Sequence, residues 1–395
     1  MKIFPRPTLR LFCALLLAFA MPVTAQAQNP GLDRLPMVGN QPDLVPPLAT
    51  DLSPELQPRA VQKAMRKVAD WQLARVQGHY NTNWTMGALY TGFMAASAAT
   101  GNSKYRNAMK EMGKSLHWQL GPHFNYADDN VIAQTYLELY MRHHDPVMIA
   151  TVRDQFDRAL KVPIDHKDQK DILWWWCDAL FMAPPAWARM YKVTGNHAYL
   201  DYMNREWWTT SSRLYDSREH LYSRDATYLN RSEANGRKLF WSRGNGWVLA
   251  GLVRVIEYMP EDYPDRPKFV AQYKEMAASV ASLQGDDGLW RPGLLNAGAY
   301  PLPEVSGSAF YTYALAWGVN HGILDSSSYT PVIARAWKGL ISHIYSDGRL
   351  GCIQPVGAAP DQYKASSSYT FGVGAFLLAG SEVNTLSVNL AKHAR

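Results

Sequence analysis

Apolar residues recur along this chain at mixed spacings of three and four, the period of a helix with one buried face. Residues 54–78 show the pattern first, through Leu56, Val61, Ala64, Val68, Trp71, Leu73 and Val76. Pro54 suits a first turn there and Gly78 a stop. The next segment, 84–99, differs in kind. Gly87, Ala88, Gly92, Ala95, Ala96 and Ala98 make it small and apolar almost all round, which predicts a helix buried on every face. The two kinds then alternate. Amphipathic 103–118, 146–160, 197–213, 266–283 and 329–345 precede the more apolar 129–142, 177–193, 243–258, 306–320 and 370–380. The segment Thr100-Gly101-Asn102-Ser103-Lys104-Tyr105 is echoed by Thr194-Gly195-Asn196-His197-Ala198-Tyr199. No later stretch sustains the alternation of two expected of strands.

Six amphipathic helices alternating with six apolar ones, with apolar starts about 45 to 67 residues apart, predict an all-α fold, an (α/α)6 barrel. A helical solenoid for protein binding is the competing architecture, but solenoid repeats are shorter and more uniform. In a barrel the loops before the inner helices open on one face. Segments 123–129, 174–178, 221–243 and 290–306 are those loops, and function concentrates where loops sit on a rigid scaffold.

Composition narrows the class. Hydrophobic residues make up 47% of the 395 against 19% charged, which excludes a disordered chain. Three cysteines are too few to staple this length. Lys2, Arg6 and Arg10, the apolar run 11–21 and Ala25-Gln26-Ala27 form a secretory signal peptide over 1–27. Its apolar run is too short for a membrane anchor. Export to the periplasm or beyond is expected. Without the leader the net charge falls from +6 to +3, with 37 basic against 34 acidic residues, so no nucleic-acid footprint is present. Residues 28–52 are proline-rich and read as an extended strap. A single domain should fill 53–395. The 14 Trp and 22 Tyr exceed what a core needs and suit a sugar-binding cleft.

Candidate chemistry gathers at the inner-helix starts. In Trp174-Trp175-Trp176-Cys177-Asp178 the three indoles cannot share one face, so at least one meets the mouth or solvent. Asp178 is either a helix cap or a desolvated carboxyl whose raised pKa suits a general acid. Pro184-Pro185 should kink the helix behind it. Asp128-Asp129-Asn130 offers one capping carboxylate and one facing the cavity. In Phe240-Trp241-Ser242-Arg243-Gly244-Asn245-Gly246-Trp247 the glycines suggest close backbone approach. Arg243 is placed to pair with a ligand carboxylate or a neighbouring acid, and Trp247 to stack on a sugar. Glu304-Val305-Ser306-Gly307-Ser308 reads as a capping signal. His123, Arg224, His321 and Gln354 are polar residues assigned to the mouth loops. Asp287-Gly288-Leu289-Trp290 and Asp347-Gly348-Arg349-Leu350 look like matching turns. The sequence holds no HExxH, paired CxxC, Walker loop or GxGxxG after a strand, so no metal or cofactor is expected.

The runs Trp176-Cys177-Asp178-Ala179-Leu180-Phe181-Met182-Ala183-Pro184-Pro185, Trp241-Ser242-Arg243-Gly244-Asn245-Gly246-Trp247 and Glu304-Val305-Ser306-Gly307-Ser308 resemble glycoside hydrolase family 105. These are unsaturated rhamnogalacturonyl hydrolases, related to the unsaturated glucuronyl hydrolases of family 88. The likeness runs from about Trp84 to Glu382. It implies an (α/α)6 barrel and hydration of the C4=C5 vinyl ether of a 4,5-unsaturated uronic acid at the non-reducing end of lyase-generated oligosaccharides. An Asp protonates C4, then activates water for C5, and the resulting hemiketal opens to release the aglycone. The resemblance makes Asp178 the acid/base and Asp129 the second carboxylate. Trp176, Arg243 and Trp247 become substrate-binding residues, joined by Trp84 and Met86 at the start of the apolar run 84–99. Arg224 stands where many members carry His, and it is assigned to the uronate carboxylate. Rhamnogalacturonan is the family default, with other uronide-bearing polysaccharides open. An inverting glycosidase acting on saturated sugars, or a periplasmic glycan-binding protein, are the alternatives.

Overall fold

A computed structural model describes residues 38–162 and 172–393. The expected signal peptide over 1–27 and the first part of the expected strap lie outside the described residues. Twelve of the thirteen described α-helices fall on the predicted segments, and the thirteenth arises from a predicted kink. The outer helices are α1 (Pro58–Val76), α3 (Ser103–Ser115), α5 (Ala150–Ala159), α8 (His197–Leu214), α10 (Arg266–Ser282) and α12 (Ser326–Ile341). The inner ones are α2 (Trp84–Thr100), α4 (Ala127–His143), the pair α6 (Ala179–Met182) and α7 (Pro184–Thr194), α9 (Ser242–Ile256), α11 (Val305–Asn320) and α13 (Thr370–His393). Each inner helix packs on the next, and α13 packs on α2, closing the ring. This is the expected (α/α)6 barrel. Among the described residues, strands are confined to four two-residue pieces, β1 (Gly39–Asn40), β2 (Tyr215–Asp216), β3 (Leu221–Tyr222) and β4 (Ser368–Tyr369). Antiparallel β1–β4 pairing ties the described part of the strap to the start of α13.

The closure shows why the inner helices need small residues. A Cβ on Gly92 of α2 would lie 2.7 Å from the backbone of Gly374 in α13, so the two backbones touch. The repeated Thr-Gly-Asn segments form the same hinge twice. Gly101 and Gly195 take left-handed φ of 67° and 72°, a conformation that costs glycine little. Asn102 and Asn196 then cap α3 and α8, each accepting a backbone N–H at 3.1 Å. The two Asp-Gly turns also match, with Asp287 accepting from Leu289 N at 3.1 Å and Asp347 from Arg349 N at 3.0 Å.

Three boundaries differ from expectation. Asp325 accepts from Ser328 N at 2.8 Å and starts α12 earlier than position 329. Helix α13 runs past 380, with Gly380 inside it packed against the Met65 side chain. The helix expected over 177–193 is two helices. Pro185 has no N–H to offer the Phe181 carbonyl. Gln134 of α4 donates to that carbonyl instead at 2.7 Å, and its own carbonyl oxygen accepts from Arg254 Nε of α9 at 2.7 Å. The kink is thus built into the ring.

Candidate active site

The inner-helix N-termini converge on one face. Trp84 at the start of α2 stacks on Phe371 of α13 at 5.4 Å and meets Trp247 of α9 edge-on at 6.2 Å. Arg243 of α9 lies 4.8 Å from the Phe371 ring. Asp178 stands just before α6, and Asp128 and Asp129 lie in the first turn of α4.

Asp178 is buried, yet its carboxylate caps nothing. It accepts a weak bond from the Cys177 thiol at 3.2 Å. Burial raises its pKa against the charges of Arg224 and Arg243 and the Cys177 bond, with Asp225 adding to the rise. Burial and the same carboxylate hold the Cys177 thiol well above its usual range, so the thiol stays a donor. Gly244 makes room for the carboxylate: a Cβ there would lie 3.0 Å from Cys177 Sγ and 3.5 Å from Asp178 Oδ1. This is the close approach expected of the glycines around Asn245.

The two carboxylates of α4 divide the work differently from the sequence expectation. Asp129 faces the preceding loop. It accepts from His123 N at 2.6 Å and pairs with His123 Nδ1 at 2.8 Å. A Cβ on Gly121 would overlap its carboxyl group. Asp129 therefore holds the loop over 121–123. Asp128 is the carboxyl coupled to Asp178. It has no hydrogen-bond partner among the described residues. Burial first, then the charges of Asp178 and Asp129, push its pKa up to about 8 against the pull of Arg224. Successive helix residues point about 100° apart, and the loop takes the second one. Tyr126, at the N-cap of α4, senses the same charges. Burial, Asp128 and Asp129 push its hydroxyl to about 12.

Arg224 lies close enough to Asp178 for the two charges to interact. It is 6% exposed, and its Nη1 donates to Asp225 at 2.6 Å. Burial works against its charge, and Asp178 and Asp225 more than offset that cost. Its buried Nε has no partner among the described residues. The segment is pinned to the α6 start by the Cys177 N–H, which donates to the Arg224 carbonyl at 2.8 Å, and by a bridge from Trp176 to Asp225.

Other expected binding residues lie beneath the site instead of lining it. Arg243 is 1% exposed. Its Nη1 and Nη2 donate to the Gln354 and Pro355 carbonyls at 2.6 and 2.7 Å, so its fork is not open to a ligand carboxylate. Its contribution to Asp178 is charge. Trp247 is buried among Trp84, Phe181 and Phe310, the last at 4.3 Å, and Met86 is fully buried. Both are floor. Trp84 is partly buried. Trp176 is buried as a wall beside Tyr126, at 5.3 Å. His321 ends α11 and therefore lies at the opposite mouth, with Nδ1 against the Trp317 carbonyl at 2.8 Å. Within the 304–308 capping signal it is Glu304 that caps α11, accepting from Ser306 N and Gly307 N at 3.2 and 2.6 Å. Gln354 is spent on Trp241 Nε1 at 2.9 Å and the Ala359 carbonyl at 2.7 Å. Among the described residues, no cluster of three or more His, Cys, Asp or Glu is arranged to hold a metal.

Comparison with known proteins agrees with this architecture. The family model for Glycosyl Hydrolase Family 88 matches residues 57–387. An unsaturated 3S-rhamnoglycuronyl hydrolase of Formosa agariphila is 40% identical over 339 residues, covering 82% of this chain and 90% of that protein. A solved glycosyl hydrolase family 88 structure from Bacteroides vulgatus superposes with a TM-score of 0.78 at 32% identity, covering 83% of this chain and 99% of that one. A possible family 105 member from Salmonella enterica shares the fold, with a TM-score of 0.70 at 18% identity over 89% of this chain and 97% of that one. With the family model spanning most of the chain, this protein belongs to glycosyl hydrolase family 88 and is a glycoside hydrolase.

Proposed function

We propose that the protein removes a 4,5-unsaturated uronic acid from the non-reducing end of a lyase-generated oligosaccharide, with rhamnose as the neighbouring sugar. The observation that carries this is the buried carboxyl pair, Asp178 and Asp128, with Arg224 beside it. Burial and the nearby Asp178 charge raise the Asp128 carboxyl so far that the pair keeps a proton at neutral pH. That is what protonation of a vinyl ether needs: an acid still loaded where ordinary carboxyls are empty. The name carried by the Formosa agariphila relative supports the rhamnose.

In this proposal Asp178 gives its proton to C4 of the uronate. The C4=C5 pair forms the new C–H bond, and positive charge develops on C5 and the ring oxygen. The ionised Asp178 then takes a proton from a water whose oxygen bonds to C5, which restores the acid. Asp128 keeps a proton at neutral pH and so holds the pair loaded. The C5 hemiketal opens to a ketone, C1 becomes a hemiacetal, and the aglycone departs. Arg224, with an unpartnered Nε, binds the uronate carboxylate and exchanges part of its pairing with Asp225 for the ligand. Export belongs to the same proposal and rests on the leader at 1–27.

The test follows the far-ultraviolet absorbance of the vinyl ether. Purified protein should abolish it for an unsaturated uronyl-rhamnose disaccharide and release free rhamnose. Persistence of the absorbance across several unsaturated disaccharides sinks the proposal.

A further inference from the structure

Of the fourteen tryptophans, all among the described residues, Trp175 alone is largely exposed, at 47%. Its neighbours Trp174 and Trp176 are fully buried. The chain makes a single bridge from Trp176 to Asp225, between turns at 173–174 and 177–178. One of three consecutive indoles is turned outward, three residues before Asp178. It is not loose. Its ring tilts against Trp176 at 4.8 Å, and the Arg224 guanidinium lies 5.4 Å from its centroid. Arg224 is held in turn by Asp225. A large apolar surface kept in water and held rigid is suited to receive a ligand, because little freedom remains to be lost on contact.

The direction of the site places the ligand. Tyr126, beside Asp128, contacts Trp176, and Trp176 contacts Trp175. These rings form one wall that begins at the buried carboxyls and ends in solvent. Beneath the carboxyls the barrel is filled by Phe181, Trp247 and Phe310, so a saccharide chain cannot continue inward. A uronate with its C4=C5 bond at the carboxyl pair must send the rest of the chain outward along the wall.

We infer that Trp175 is the specificity-determining platform on which the sugar attached to the unsaturated uronate stacks. The inference rests on the proposed hydrolase activity and adds the residue that selects the aglycone.

The test compares two substrates, the unsaturated uronyl-rhamnose disaccharide and the methyl glycoside of the same unsaturated uronate. Trp175→Ala should lose about tenfold in kcat/KM on the disaccharide, the size of one aromatic contact. The loss should sit in KM with kcat nearly unchanged, and the methyl glycoside should be turned over as by wild type. Trp175→Phe should recover most of the loss. In an Asp178→Asn background, the disaccharide should quench tryptophan fluorescence only when Trp175 is present. Equal losses on both substrates, or no loss on the disaccharide, overturn the platform while leaving the hydrolase proposal intact. A wild type inert toward both substrates overturns the hydrolase proposal and the platform with it.

Discussion

Replacing Asp128 by Asn should stabilise the protein while removing its activity, and the stabilisation should grow with pH. The folded carboxyl has its pKa pushed to about 8 from an ordinary 3.8. Between those values the folded state keeps a proton that the unfolded chain has released. Stability therefore falls as pH rises through this window, and the full penalty is reached only above about 8. Three pH units at about 1.4 kcal/mol each set a ceiling of about 4 kcal/mol on the change between pH 5 and pH 8. Arg224 loses a carboxylate neighbour in the variant, which takes back part of the gain. The expected gap between variant and wild type thus widens by about 2 kcal/mol over that range. Asn keeps the shape of the protonated acid, so little packing changes. Urea unfolding at pH 5, 6.5 and 8 measures the gap. Turnover of the unsaturated disaccharide should fall at least about 100-fold. Asp129→Asn provides the contrast, since Asp129 holds the 121–123 loop. It should show a smaller loss of turnover. A gap that stays flat with pH, or Asp129→Asn proving the more damaging to turnover, refutes the assignment of Asp128 as the partner of Asp178.

Asp178→Asn should cost at least about 1,000-fold in turnover with the helical circular dichroism unchanged. It should also lower the Asp128 titration seen by carboxyl carbon NMR, because the Asp178 charge is the largest cause of its elevation after burial. At the far mouth, Arg189 Nη2 and Arg254 Nη2 both donate to Glu138 Oε1 at 2.8 Å. Glu138→Gln leaves two buried guanidiniums without their carboxylate and should destabilise by about 3–5 kcal/mol in urea. Folded Glu138→Gln protein should keep near-normal turnover, since the network lies away from Asp178. Gly92→Ala should lower the melting temperature by forcing α2 off α13, at a cost of about 1–3 kcal/mol; an unchanged melt would show that the ring closure tolerates separation.

The barrel was legible because its signal is local and repeated. Each helix carries its burial pattern in its own residues, and the Thr-Gly-Asn hinge repeats with its caps. Asp178 was legible for a related reason, since three indoles and two prolines leave the carboxyl between them in a desolvated turn. What the sequence hid depends on contacts far along the chain. Arg243 has the fork of a carboxylate clamp, but a loop more than a hundred residues later fills it with the Gln354 and Pro355 carbonyls. Trp247 looks like a stacking residue and is floor, because Phe181 and Phe310 close over it from two other helices. The Asp128–Asp129 pair is the sharper case, because it had a local signal. Gly121 leaves room for a carboxyl group, and the backbone N–H of His123 lies within reach of one. A loop built that way captures the carboxylate that points back toward it, which is Asp129. The side chain one position earlier is turned about 100° away, toward the interior of the ring. Where two acids open an inner helix, the one claimed by the preceding loop is the structural one. The acid left without a partner bears the desolvation, and with it the raised pKa that chemistry can use.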